Sequence, residues 1–211
     1  MMKMKMLGNV RVYIDSYIRE MNATELRNAI LCLPAWRREI ALNFKFDIDR
    51  QLCTKSYLLL AKGLKEDFGI SEQPKFAYQK QGKPYLKDAS NIYFNMSHCK
   101  NGILCVIGNE PLGCDIECIP EHLDMGVAEY CFNQQELNSM LASPKPCVEF
   151  TKIWTRKEAA LKFFGCGLID DMKNLFSSDL LNKTVLYTEV NELRGYVYTV
   201  CKGRVKSNTP T

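Results

Sequence analysis

The stretch of sequence that decides the fold is GILCVIGNEPLGCDIE, residues 102–117. Its two apolar segments predict two strands, and the Asn-Glu-Pro between them predicts a short turn. Residues two apart on a strand point to the same face, so Asp115 and Glu117 should lie side by side while Ile116 faces the core. Adjacent carboxylates repel each other, which favours a shared cation at this position. An edge strand with a solvated acidic face is the alternative interpretation.

On both sides of this stretch, helical patterns precede strand patterns. Asn22 and Glu25 have the spacing of a capping box at a helix start, Pro34 interrupts that helix, and Gly69 is placed to end a longer one. The predicted helices include residues 49–68, 133–141 and 148–164, and the predicted strands are residues 10–14, 76–79, 92–96, 102–108, 112–117, 184–190 and 195–201. Helices followed by strands, twice, predict an α+β fold with antiparallel sheets. We expect an N-terminal lobe, residues 1–109, and a C-terminal lobe, residues 110–211.

The composition is that of an ordinary globular protein, with 211 residues, 46% of them hydrophobic, and a net charge of +4. This excludes collagenous, low-complexity and extensively disordered proteins. No apolar run approaches the roughly 18 residues that a membrane helix needs, and none follows the first lysines, so we expect a cytoplasmic protein without a membrane partner. The ten cysteines are interpreted as buried thiols in a reducing compartment rather than as a disulfide framework.

The charge is unevenly distributed along the chain. Residues 1–109 carry 17 basic and 10 acidic side chains, a balance of +7, and residues 110–211 carry 11 and 14, a balance of −3. The first part is therefore suited to phosphate and the second to cations. Chance solvation of two surfaces is the alternative explanation.

A second group of polar residues lies in WTRKEAALK, residues 154–162, on a predicted helix that ends at Gly165. Glu158 and Lys162 are four residues apart and share a helix face. As a routine surface pair they would contribute roughly 0.2–0.5 kcal/mol. If Glu158 instead turns toward the two strand carboxylates, three oxygen ligands without histidine or thiolate describe a Mg²⁺ or Mn²⁺ site.

A third group is FNMSH, residues 94–98, at a predicted strand-to-loop transition. Ser97 and His98 can both donate hydrogen bonds to phosphate oxygens there, and Asn95 can hold the turn by bonding its own backbone. A satisfied histidine beside a turn is the alternative. Upstream, Gly82-Lys83-Pro84 predicts a tight turn that restricts the lysine.

In this order and spacing, these groups resemble the 4'-phosphopantetheinyl transferases, specifically the two-lobed monomeric type that activates surfactin synthetase. The matching strings are Gly-Lys-Pro, Asn-x-Ser-His, Gly-x-Asp-x-Glu and Trp-x-x-Lys-Glu-Ala-x-x-Lys, the last followed by Gly165-Cys166-Gly167-Leu168. The resemblance implies magnesium-dependent transfer of the phosphopantetheine arm from coenzyme A to a carrier-protein serine, releasing adenosine 3',5'-bisphosphate. It also implies two similar α+β lobes with the cofactor in the cleft between them.

Carried over residue by residue, the resemblance assigns roles to side chains of this chain. The implied metal ligands are Asp115, Glu117 and Glu158. The implied contacts with coenzyme A are Lys162 and His98 at the pyrophosphate, Ser97 and Lys83 at its phosphates, Pro84 as a further contact, and Arg37, Arg38 or Arg50 at the nucleotide end. Lys162 and Glu158 are the candidate catalytic residues, and Glu158 or a metal-bound water is the candidate base for the serine.

Two other functions are compatible with parts of the sequence. The first is a non-catalytic protein of the same fold that binds coenzyme A or another nucleotide, but retention of three carboxylates and Lys162 favours an enzyme. The second is nucleic-acid binding through Trp36, Arg37, Arg38 and Lys45, but acidic residues interrupt that face at Glu39, Asp47 and Asp49. We therefore expect a monomer whose macromolecular partner is an apo acyl or peptidyl carrier protein, with no nucleic-acid partner.

Overall fold

The structure of the protein, a computed structural model, describes residues 2–167, 171–176 and 183–204. The strands of these residues are β1 (Met2–Leu7), β2 (Val10–Asp15), β3 (Phe76–Tyr78), β4 (Pro84–Leu86), β5 (Tyr93–Cys99), β6 (Gly102–Gly108), β7 (Leu112–Cys118), β8 (Thr184–Asn191) and β9 (Tyr196–Gly203). The α-helices are α1 (Ala23–Leu31), α2 (Ala35–Asn43), α3 (Asp47–Phe68), α4 (Met125–Cys131), α5 (Gln134–Ala142) and α6 (Pro146–Phe164). The predicted α+β class is confirmed, and Leu168 lies outside the described residues.

The two larger sheets repeat one topology. The first has the strand order β1-β2-β6-β5 and the second has the order β7-β9-β8, with antiparallel pairing throughout. In the first half β2 is followed by α1–α3, the short β3–β4 pair and the β5–β6 hairpin, and β6 pairs with β2. In the second half β7 is followed by α4–α6 and the β8–β9 hairpin, and β9 pairs with β7, whereas β1 is an additional edge strand of the first sheet. The two halves therefore share a fold plan, although their residues show no clear repeat.

The main core lies between the two sheets. Buried side chains from both sheets form one apolar cluster that includes Val12, Leu104, Val106, Cys114, Ile116 and Val200. Helix α3 packs on the outer face of the first sheet and α6 on the outer face of the second. Because Ile116 is in the shared core, Asp115 and Glu117 face α6, as the alternation in the sequence predicts.

A glycine on β7 brings α6 close to the sheet. A Cβ atom at Gly113 would lie 2.3 Å from both the Ala159 carbonyl oxygen and the Phe163 nitrogen. Any larger residue would push the helix away from the strand. Gly113 therefore determines how near the last turns of α6 come to the carboxylates of β7.

Most of the predicted element boundaries hold, and the errors have local causes. The capping box of Asn22 and Glu25 is present, and Gly69 ends α3 in the left-handed conformation with φ of 68°. The prediction that Ser97 and His98 lie at a strand-to-loop transition is wrong, because β5 continues to Cys99. Among the helices in the described part of the chain, none combines the length and apolar character that a membrane crossing requires.

Candidate active site

The centre of the site is a three-residue cluster where β5, β7 and α6 meet. Asp115 of β7 accepts hydrogen bonds through Oδ1 from Ser97 Oγ at 2.8 Å and from Lys162 Nζ at 2.7 Å. Lys162 Nζ also donates to Ser97 Oγ at 3.1 Å. Charge-assisted bonds of this kind are stronger than those between neutral groups. The cluster therefore ties residues of both halves to one carboxylate.

The second oxygen of Asp115 is buried without a hydrogen-bond partner in the described structure. The side chain is only 2% exposed, so solvent does not replace the missing hydrogen bond. An unsatisfied buried anionic oxygen is costly, and such an atom in a native protein calls for a missing partner such as an ion. Oδ2 of Asp115 is thus available to a cation.

Two further carboxylates lie in the electrostatic field of Asp115. Burial, followed by the negative charges of Asp115 and Glu158, raises the pKa of Glu117 to about 7. Burial and Asp115 also raise the pKa of Glu158, while the positive charge of Lys162 partly opposes the shift. Both groups hold a proton more tightly than free glutamate because negative charge is already concentrated here.

Lys162 is the charged group that balances this cluster. Burial opposes the charged form, but the charge and hydrogen bond of Asp115 outweigh it and raise the pKa of Lys162. The sequence offered Glu158 as its helical neighbour, whereas the ion pair that forms joins Lys162 to Asp115. The tertiary contact therefore displaces the local i,i+4 pair.

The donor set fits a hard divalent cation, although it is not a closed cage. Within the residues described, no three His, Cys, Asp or Glu side chains stand close enough together to hold a metal ion. The free oxygen of Asp115 and the raised pKa values of Glu117 and Glu158 nevertheless indicate excess negative charge that a cation would relieve. The metal-ligand roles of the three residues remain predictions.

His98 follows Ser97 on β5 and lies within the electrostatic field of Lys162 on α6. His98 is exposed at the surface, but neighbouring protein atoms still remove part of its hydration, and this together with the charge of Lys162 lowers the pKa of His98, which favours the neutral ring. Asp49 and Arg37 also act on the imidazole, which places the start of α3 and the helix α2 on this side of the site. No local pattern in the sequence predicts the approach of Asp49 to His98.

Arg38 and Arg50, two of the predicted contacts with the nucleotide end, already donate hydrogen bonds to other groups of the protein. Arg38 donates to the Leu31 and Leu33 carbonyl oxygens, both at 3.1 Å. Arg50 donates to the Phe44 carbonyl oxygen and to Asp47. Both line a crevice between α1 and α2 that contains none of the residues around Lys162.

Arg37 is the nucleotide-end candidate that the structure places nearest to the cluster. It donates to the Cys53 carbonyl oxygen at 3.3 Å, and its guanidinium lies over the Tyr57 ring. Its Nε, like that of Arg38, is buried and has no hydrogen-bond partner in the described residues, but of the three arginines Arg37 is the one whose charge acts on His98. Arg37 is therefore better placed than Arg38 or Arg50 for a contact near His98.

Lys83 has a position that its motif did not indicate. Its Nζ donates to the Leu112 carbonyl oxygen at 2.9 Å and to the Phe163 carbonyl oxygen at 3.0 Å. The lysine thus joins the loop before β4, which begins at Pro84, to the start of β7 and the end of α6. Its ammonium is used as a structural link in this arrangement, and its predicted contact with a phosphate stays untested.

Asn95 also links the halves. The prediction that it bonds its own backbone is wrong, because its Oδ1 accepts from the Cys114 nitrogen of β7 at 2.9 Å. Beside this link lies a pocket of 250 Å³ lined by residues of the Gly-Lys-Pro turn, by Met96 and by Lys162. An open space therefore adjoins the cluster between the first half and the end of α6.

Comparison with known proteins finds a family that resembles the second half of the chain. The family described as the 4'-phosphopantetheinyl transferase superfamily matches residues 111–201. These residues are similar to that superfamily. The matched segment of this chain contains Asp115, Glu117, Glu158 and Lys162. Lys83, Ser97 and His98 precede it and lie outside the match.

Individual transferases match over a longer stretch. The chain is 30% identical over 135 residues to the 4'-phosphopantetheinyl transferase psf-1 of Bacillus pumilus, covering 63% of this chain and 58% of that protein. It is 27% identical over 168 residues to ffp of Bacillus subtilis, covering 78% and 72%, and 31% identical over 141 residues to gsp of Aneurinibacillus migulanus, covering 63% and 56%. The predicted resemblance to this type of 4'-phosphopantetheinyl transferase is confirmed, and the matches with psf-1 and gsp span somewhat more than half of those relatives.

Proposed function

We propose that the protein is a 4'-phosphopantetheinyl transferase that moves the phosphopantetheine arm of coenzyme A to a serine of an apo carrier protein. The observation that carries the proposal is Asp115, a buried carboxylate with one oxygen on Lys162 and Ser97 and the other free. A protein that only binds phosphate has no need to bury such a group beside two further carboxylates. The named relatives support the same activity.

Asp115, Glu117 and Glu158 would hold the divalent cation, for which Mg²⁺ is the first candidate and Mn²⁺ the second. When bound, the ion would neutralise the pyrophosphate and the three carboxylates and would orient the leaving group. The hard oxygen donors of the site match either ion.

Lys162 and His98 would stabilise the leaving group. The serine oxygen attacks the β-phosphorus, the bond between that phosphorus and the bridging oxygen breaks, and adenosine 3',5'-bisphosphate leaves with the bridging oxygen on its 5'-phosphate, which is the former α-phosphate. The charge that develops on the bridging oxygen calls for fixed donors. Lys162 supplies a full positive charge because its pKa is raised, and neutral His98 supplies an N–H donor.

Glu158 is the proposed base that takes the serine proton. Its pKa is raised by burial and by Asp115, which brings it nearer to neutral pH, where proton transfer is most effective. Ser97 has a different role, because its hydroxyl is fixed between Asp115 and Lys162. It positions these two groups and keeps the ammonium directed toward the site.

The proposed setting is the cytoplasm, with coenzyme A and an acyl or peptidyl carrier protein as partners of a monomer. All ten cysteines are free thiols in the structure, which fits a reducing compartment. No nucleic-acid or membrane partner is part of the proposal.

The test is incubation of the protein with coenzyme A, Mg²⁺ and a panel of apo carrier proteins, followed by intact-mass measurement. We expect one phosphopantetheine group per carrier, and a loss of most activity in Asp115→Asn, Glu117→Gln and Glu158→Gln. Glu129→Gln is the matched control, since Glu129 is exposed on α4 outside the cluster. Coenzyme A binding without modification of any carrier would favour the non-catalytic binding protein, and full activity of Asp115→Asn would remove Asp115 from the site.

A further inference from the structure

A second pocket, of 310 Å³, lies at the junction of the two halves beyond the end of β7. Its walls are three chain segments: residues 16–19 after β2, residues 100–101 between β5 and β6, and residues 193–194 between β8 and β9. It shares no lining residue with the pocket beside Lys162. None of the functions proposed above uses it.

Hydrogen bonds connect this pocket to the proposed metal-binding strand. Asn101 Nδ2 donates to the Gly195 carbonyl oxygen at 3.1 Å, which joins the turn of one half to the turn of the other. The same oxygen accepts from the Ile119 nitrogen at 2.9 Å. Ile119 follows Glu117 by two residues, so the pocket lies next to the end of β7 that carries the carboxylates.

The charge of the pocket is positive. Its lining includes Arg19, Lys100 and Arg194 and no carboxylate. Arg19 is paired with Glu25, whereas Lys100 and Arg194 form no ion pair within the described residues. Three carboxylates directly flank the lining in sequence: Asp15 is paired with Lys55, Glu192 is paired with Lys145, and Glu20 is exposed. Two cations are therefore free to meet an acidic partner.

Two large apolar side chains stand beside these cations. Leu193 is 94% exposed at the tip of its turn, and Tyr17 is 56% exposed. Single exposed apolar residues are common, but here both line one cationic pocket. Apolar anchors within a charged rim are the usual composition of a protein-binding surface.

We propose that Tyr17, Lys100, Leu193 and Arg194 form the docking surface for the carrier protein. This inference rests on the proposed function, which requires a carrier serine to reach Glu158 and Lys162. Carrier domains of this kind are expected to be acidic, so the charges of the two surfaces are complementary. The surface lies at the carboxylate-bearing end of β7, where a docked partner would be close to the site. It includes residues of both halves.

The test is a steady-state comparison of two double variants with equal net charge. Lys100→Glu/Arg194→Glu reverses the proposed surface, and Lys62→Glu/Lys65→Glu reverses two lysines near the far end of α3. We expect the first variant to raise the KM for the apo carrier about tenfold, because reversed rim charges weaken association, and to keep the KM for coenzyme A. The control variant should change neither KM. Added salt should raise the carrier KM of the parental protein and of the control more than that of the surface variant.

A third variant tests the apolar part of the surface. Leu193→Ser should raise the carrier KM with no change in kcat at saturating carrier, whereas Leu141→Ser, at an exposed leucine on α5, should not. Equal carrier KM values for the surface and control variants would overturn the docking surface and leave the transferase intact. A parental protein that modifies no carrier would overturn the proposed function itself. A short nucleic acid added to the assay provides a further check. If it competes with the carrier equally well in both charge variants, the result would count against this surface, because it would show that Lys100 and Arg194 do not select the partner.

Discussion

The substitution Glu117→Gln should raise the free energy of unfolding of the metal-free protein near and above neutral pH, and should leave it unchanged at acidic pH. Glu117 has a pKa of about 7 in the folded protein and 4.5 as a free side chain. The folded state therefore holds a proton that the unfolded state has already released between these two values. By linkage, the free energy of unfolding falls as the pH rises through this window.

The size of the effect follows from the same two values. At 1.36 kcal/mol for each pH unit, the difference corresponds to about 3 kcal/mol. Glu117 is only partly buried, and solvent screening reduces the contribution to about 1–2 kcal/mol. Glutamine keeps the shape without the charge, so Glu117→Gln should match the parental protein near pH 4.5 and exceed it by this amount at pH 8.

The assay is urea unfolding from pH 4.5 to pH 8 in EDTA, which removes divalent cations. Glu129→Gln, at an exposed position on α4, should follow the parental curve throughout. Mg²⁺ at pH 8 should then stabilise the parental protein more than Glu117→Gln. A stability difference between Glu117→Gln and the parental protein that does not change with pH would refute the reasoning, since it would mean that Glu117 is not held among the other charges.

Three further outcomes are expected. Gly113→Ala should cost about 3 kcal/mol or more, because its Cβ would lie 2.3 Å from backbone atoms of α6, whereas Gly167→Ala has open space; urea unfolding compares the two. Lys83→Met should lower stability by about 1.5–3 kcal/mol through loss of two charge-assisted bonds, yet leave the KM for coenzyme A nearly unchanged, and a tenfold higher KM would instead support a phosphate contact. Coenzyme A and Mg²⁺ together should raise the melting temperature by more than their separate shifts combined, with a coupling of about 1–3 kcal/mol, and strictly additive shifts would contradict a shared site.

Much of the fold can be predicted from local patterns, and the elements that were missed show the limits of those patterns. Strand β1 alternates methionine and lysine, but its residues 3–6 are exposed, so no buried face marks it. Strand β4 has three residues and begins at a proline, and α4 has seven residues with a glycine at its second position. Such short elements are stabilised by their neighbours, which a local pattern does not contain.

Some features of the candidate site follow from local sequence patterns, and others depend on tertiary packing. The shared face of Asp115 and Glu117 follows from strand alternation and is found in the structure. The partner of Lys162 is set by the distance between α6 and β7, which depends on the absence of a side chain at Gly113. The use of Lys83 as a link between backbone carbonyl groups depends on that packing as well, so its motif alone could not indicate it.

The shared apolar layer makes the chain comparable to a homodimer whose two subunits have been joined by the turn at residues 109–111. Without the other half, each half would expose the apolar face of its sheet to solvent, as the separated subunits of an obligate dimer do. Fragments 1–109 and 110–211 should therefore be insoluble when expressed apart and should reconstitute a folded complex when expressed together. The carboxylates on β7 and the donors on β5 would then be assembled only on association, so any activity would depend on the concentration of both fragments.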